Sequence, residues 1–128
     1  MGYETKMIVG EITPFTKYVE VIAVVVLCCL GSNGLLSSLA SNSLKKEESE
    51  GWYWFDWDGN TKIESDGYGH FPTPVDLEDA ITAFKIDIKQ SDYRRIRWAY
   101  DLLRSIAKTE KERLGSNPTR TKVFFFGH

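Results

Sequence analysis

The sequence is short of the residues that most chemistry needs. It has 2 cysteines, 2 histidines and 4 prolines in 128 residues. The cysteines, Cys28 and Cys29, are adjacent, so on a strand they point to opposite faces and cannot bridge each other. With no CxxC and no second pair, they read as small buried hydrophobes in a reducing compartment. Of the histidines, His70 lies mid-chain and His128 is the last residue. No GxSxG, HExxH, GxxxxGK[ST] or GxGxxG occurs, and Gly67-Tyr68-Gly69-His70 is not followed directly by a helix as a phosphate cradle requires. The sequence therefore offers no catalytic set, no metal site and no cofactor motif. A hydrolase or nuclease reading would have to rest on Asp56, Asp58 and His70.

A long apolar run is also missing. Residues 21–44 carry no charge, but the dense apolar part ends at residue 30, and Gly31-Ser32-Asn33-Gly34 and several serines follow. Ten valine-rich residues suit a buried strand rather than a bilayer span. The first apolar run lies behind Glu4, Lys6, Glu11, Lys17 and Glu20, unlike a signal peptide, and Lys6 stands where a myristoylation pattern needs Ser or Thr. The expectation is a cytoplasmic protein with no membrane contact.

Charge of one sign does not dominate the whole, which is −2 net. It is unevenly distributed: residues 45–79 hold 3 basic and 10 acidic groups, residues 80–128 hold 11 basic and 5 acidic. Such halves usually pair or solvate two faces. The acidic Asp56-Trp57-Asp58-Gly59-Asn60 opens like a calcium loop, but Thr61 and Gly67 break the EF-hand spacing.

What is present is an ordinary globular composition, 42% apolar and 27% charged, in a length that suits a single domain over 1–128. Residues 5–12 read as a strand, Thr13-Pro14-Phe15-Thr16-Lys17 as a turn, and 18–30 as a returning strand. Residues 35–46 have leucines at roughly helical spacing. Trp52-Tyr53-Trp54-Phe55-Asp56-Trp57 is β-prone, Asp58-Gly59 is a hairpin turn and 61–64 the returning strand. A helix should start near Asp76 with Leu77, Ile81 and Phe84 buried, and a longer one spans 92–114, with Ser91 as N-cap and Gly115 just past its end. A closing strand covers 122–126. The expected fold is α+β: an antiparallel sheet of hairpins packed against two C-terminal helices, with a closing C-terminal strand.

Two clusters bear on function. Alternation puts Trp52 and Trp54 on one face of the aromatic strand and Tyr53, Phe55 and Trp57 on the other. One face fills the core. The other needs a helix, a partner or a ligand over it, since such rings anchor interfaces and stack on bases. On the long helix, Arg97, Arg104, Lys108 and Lys111 form a basic row, diluted by Asp101, Glu110 and Glu112, which suits a solvated face. Arg94, Arg97 and Trp98 sit close together, and guanidinium with indole suits a planar anion.

The opening residues 1–30, with Gly2-Tyr3-Glu4-Thr5-Lys6 leading into two strands, resemble small accessory proteins of tailed bacteriophages. That resemblance implies an intracellular protein, often an inhibitor of a host factor or defence system. The sequence thus points first to a non-enzymatic protein-binding or inhibitor module using Trp52, Trp54 and Trp57 of the aromatic hairpin and the flank of the long helix. Second comes a nucleotide-binding or sequestering protein using rings with Arg94 and Arg97. A homo-oligomer through an exposed edge at Val123-Phe124-Phe125-Phe126 fits either.

Overall fold

A computed structural model describes residues 4–13, 15, 17–29, 35–47, 51–55, 61–63, 65, 69–90 and 94–127. The first two strands are β1 (Glu4–Thr13) and β2 (Tyr18–Cys29), an antiparallel hairpin. They alternate as the sequence does: Met7 and Val9 are buried on one side of β1, and Ile12 on the other. The pairing passes from Val9↔Ala23 to Gly10↔Val21 and from Thr5↔Cys28 to Lys6↔Val26. Ile22 and Leu27 are therefore extra residues on β2, at two bulges that sharpen its twist.

Helix α1 (Leu35–Ser43) follows, then β3 (Leu44–Lys45), β4 (Tyr53–Phe55), β5 (Thr61–Ile63), β6 (Phe71–Pro72) and β7 (Val75–Asp76). Two long helices, α2 (Leu77–Gln90) and α3 (Arg94–Leu114), lead into the last strand, β8 (Thr121–Gly127). The main sheet has the order β5-β4-β2-β1-β8-β7, while β3 and β6 make a separate two-stranded sheet. Thr73 fastens that small sheet to the end of α1, its amide and its hydroxyl both donating to the Ser43 carbonyl.

The α+β class and the closing strand are as expected, with three amendments. The sheet is mixed, because β4 runs parallel to β2 at Tyr18↔Tyr53 and Val19↔Trp54. The helical layer has three members, since Leu36 and Ala40 of α1 join the core with α2 and α3. Finally, the side chains of Val123, Phe124 and Phe125 are fully buried, and β8 lies between β1 and β7, which pairs with it at Lys122 and Val123. A run of consecutive large apolar residues needs cover on both faces, which the helices supply on one and Trp54 with Trp52 on the other.

The sheet accordingly has two cores. On the helical face, Met7, Val9, Leu27, Val123 and Phe125 pack under Phe84 of α2 and under Ile96, Ala99 and Leu103 of α3. The opposite face holds a smaller group of Ile12, Val19, Trp54 and Phe124, with Ile8 and Trp52 against it. α3 ends as its sequence requires. Gly115 has φ of +63° and its amide donates to the Lys111 carbonyl at 2.9 Å, a left-handed cap. A Cβ there would meet nothing within 4 Å, so Gly115→Ala should cost backbone strain alone, about 1 kcal/mol. Urea unfolding would show it as a lower midpoint with an unchanged slope.

Candidate functional site

The aromatic segment divides between core and surface. Trp54 is 5% exposed, and its ring meets Phe124 edge-on at 4.8 Å with an interplanar angle of 66°. Trp52 is half-buried beside the same ring at 6.2 Å. Tyr53 points the other way, edge-on to Tyr18 at 5.7 Å. Of the rings expected to reach a partner, Trp54 is therefore committed to the interior, because Phe124 and Val19 need cover on a face that carries no helix. Trp52 supports it. Trp57, Asp56 and Asp58 lie outside the described residues, as do the side chains of Cys28 and Cys29.

The arginine cluster is on the surface, across the sheet from those tryptophans. Trp98 is 59% exposed, and the Arg94 guanidinium lies 5.2 Å from its ring centroid. Four residues apart on α3, the two are helical neighbours. Arg97 belongs to a different strip, 3.9 Å from Asp101 along the outer crest of the helix, with both side chains exposed. So Arg94 and Trp98 come together, Arg97 is turned away, and Trp52 and Trp54 lie on the other face of the sheet.

Sequence reasoning missed the neighbour of Trp98. The flank of α3 that carries Arg95, Trp98, Leu102, Ser105 and Thr109 runs beside β2. The Arg95 Nη1 donates to the Val26 carbonyl at 3.3 Å. Further along, Ile22 faces Ser105, Ile106 and Thr109 across a shallow depression of about 200 Å³. β2 pairs with β4 only at Tyr18 and Val19, so its edge from residue 20 onward meets no other described strand. Ile22 is 52% and Val24 54% exposed there. Arg94 and Trp98 thus lie on the flank of α3 from which Arg95 reaches β2, whereas Val24, paired with Ile8, is exposed on the opposite face of the sheet.

A second concavity of about 530 Å³ lies where the start of α2, the end of α3 and strands β7 and β8 meet. Leu77, Ala107, Leu114 and Pro118 give it an apolar wall. Asp76, Lys122 and Glu110 of its lining are hydrogen-bonded. Lys122 Nζ donates to Asp76 Oδ1 at 2.6 Å, the one described ion pair that links the acidic middle of the sequence to its basic end. Glu110 accepts from Arg113 Nη2 at 2.8 Å and from the Thr121 hydroxyl at 3.2 Å. The Glu110 hydrogen bond and charge hold the Arg113 guanidinium above its ordinary pKa.

Among the described residues, no three His, Cys, Asp or Glu side chains gather as metal ligands do, and no helix is long and apolar enough to cross a membrane. No protein-family model, curated protein or solved structure matches the chain.

Proposed function

We propose that this protein is a non-enzymatic, cytoplasmic binding module whose partner is another protein, engaged through the surface that joins α3 to β2. One observation carries the reading: an indole 59% exposed and capped by Arg94, on the flank of α3 from which Arg95 reaches the Val26 carbonyl of β2. Tryptophan and arginine dominate the energetics of protein interfaces, and a ring flanked by apolar neighbours is the usual centre of such a patch. The phage-like opening residues add that the partner is a host factor or a component of a defence system, which the module inhibits by occupying it.

The stacked Arg94–Trp98 pair also favours a second reading, capture of a planar anion such as a nucleotide on that pair alone. Native mass spectrometry of the protein taken gently from its own cells separates the two. A stoichiometric protein partner, held by the wild type and lost from Trp98→Ala and Arg95→Glu, is the expected result. A small retained mass absorbing at 260 nm and lost from Arg94→Ala would put the nucleotide first. A bare chain under every condition would sink both. Trp98→Ala should leave folding stability within about 0.5 kcal/mol, as expected for an exposed site.

A further inference from the structure

We infer that the chain pairs with a second copy of itself, the Phe15 ring of each copy entering the hollow that the start of α2 and the end of α3 form on the other.

Phe15 stands in the turn between β1 and β2 and is 99% exposed. Among the described residues, the next most exposed large apolar side chain is Trp98 at 59%. A phenyl ring held wholly clear of its own chain forgoes the burial that drives such side chains inward. Rings of this size are also the side chains that anchor protein contacts.

The hollow lies at the same end of the molecule. The amide of Ile12, where β1 runs into the turn, donates to the Arg120 carbonyl at 2.9 Å. Pro118 and Thr119, just before Arg120, line the hollow. Its volume of about 530 Å³ is ample for one ring, and Leu77, Ala107, Leu114 and Pro118 offer that ring an apolar wall. Ring and receptor therefore stand side by side without meeting inside one chain. A two-fold axis near this end lets each ring enter the other copy's hollow at once, which closes the pair. A small apolar molecule fits the same hollow but leaves Phe15 in water.

Charge agrees with this docking. Lys17 is the only charge in residues 13–17, while Glu78 and Asp79 of the first turn of α2 border the hollow. Asp76 and Lys122 beside them neutralise each other at 2.6 Å. A turn with one lysine next to its ring is thus drawn to the α2 side of the rim, away from Lys111 of α3. Two rings and the walls that receive them cover roughly 600–1,000 Å². That is below the roughly 1,200 Å² at which standard interfaces begin, so the pair should be weak and reversible.

Sedimentation equilibrium of the full chain tests this between about 10 µM and 1 mM, where so small an interface is populated. The average mass should rise toward that of a dimer. Phe15→Ser removes a ring with no cover to lose and should weaken pairing about tenfold or more. Asp79→Lys should weaken it about threefold. Trp98→Ala, toward the other end of α3, should leave it unchanged. A sample mixing isotope-labelled and unlabelled chains then locates the contact, with NOEs expected from the Phe15 ring of one copy to the Leu77 and Leu114 methyls of the other. A chain still monomeric at the highest concentration, a dimer that survives Phe15→Ser, or Phe15 contacts that miss the hollow would each overturn the inference.

Discussion

Replacing Phe124 by alanine should cost about 3–5 kcal/mol of folding stability, the range for deleting a buried aromatic ring. The ring is fully buried. It is the common support of Trp54 at 4.8 Å and Trp52 at 6.2 Å, both edge-on, an arrangement that adds to simple burial. The sheet face they share has no helix over it, so little is available to collapse into the void. That lack of relaxation places the cost toward the upper part of the range. A domain of this size has of order 5–15 kcal/mol in total, so the variant should be marginal or unfolded. Urea unfolding monitored by circular dichroism, beside Trp98→Ala as the surface control, gives the comparison. Similar midpoints for the two variants would mean that Trp52 and Trp54 do not sit on Phe124.

The same pair of variants marks what the sequence could and could not disclose. Local signals were legible. Lys17 lies in the turn between β1 and β2 with a left-handed φ of +56°, Leu77 and Phe84 mark the buried side of α2, and Gly115 ends α3 where its left-handed conformation is needed. Each of these depends on residues within a few positions. The position of β8 beside β1 and the parallel entry of β4 beside β2 depend on contacts dozens of residues apart, and no period within a strand encodes its neighbour. For the same reason the alternation in residues 52–57 separates two faces without saying which is inward. Val19 and Phe124 decide that, from the other ends of the chain.

The binding surface divides in the same way. Arg94 and Trp98 are four apart on a recognisable helix, so their proximity was readable. The exposure of Ile22 and Val24 was not, because residues 21–30 read as a buried strand. In the fold, β1 occupies one edge, β4 reaches only the first two residues of the other, and α3 lies across one face. Ile22 and Val24 are about half exposed on β2, beyond the two residues that pair with β4.

Gly10 sits at a bulge of the β1–β2 pair, and enlarging it should be the most damaging change on β1. A Cβ built there lies 2.6 Å from Val19 Cγ1 and 2.9 Å from the Glu20 carbonyl oxygen. The first neighbour is a fully buried core side chain and the second is backbone, so neither yields cheaply. Glycine here serves close approach of two strands rather than an unusual φ. Gly10→Ala should cost about 1–3 kcal/mol by overpacking, and Gly10→Val more, enough to abolish soluble expression. A double-mutant cycle with Val19→Ala resolves the cause. That second change removes the 2.6 Å contact and leaves the Glu20 oxygen in place, so it should recover only part of the loss. Full recovery would assign the effect to the side chain alone. A Gly10→Ala protein within about 0.5 kcal/mol of the wild type would mean that β1 and β2 are farther apart at this bulge than the structure has them.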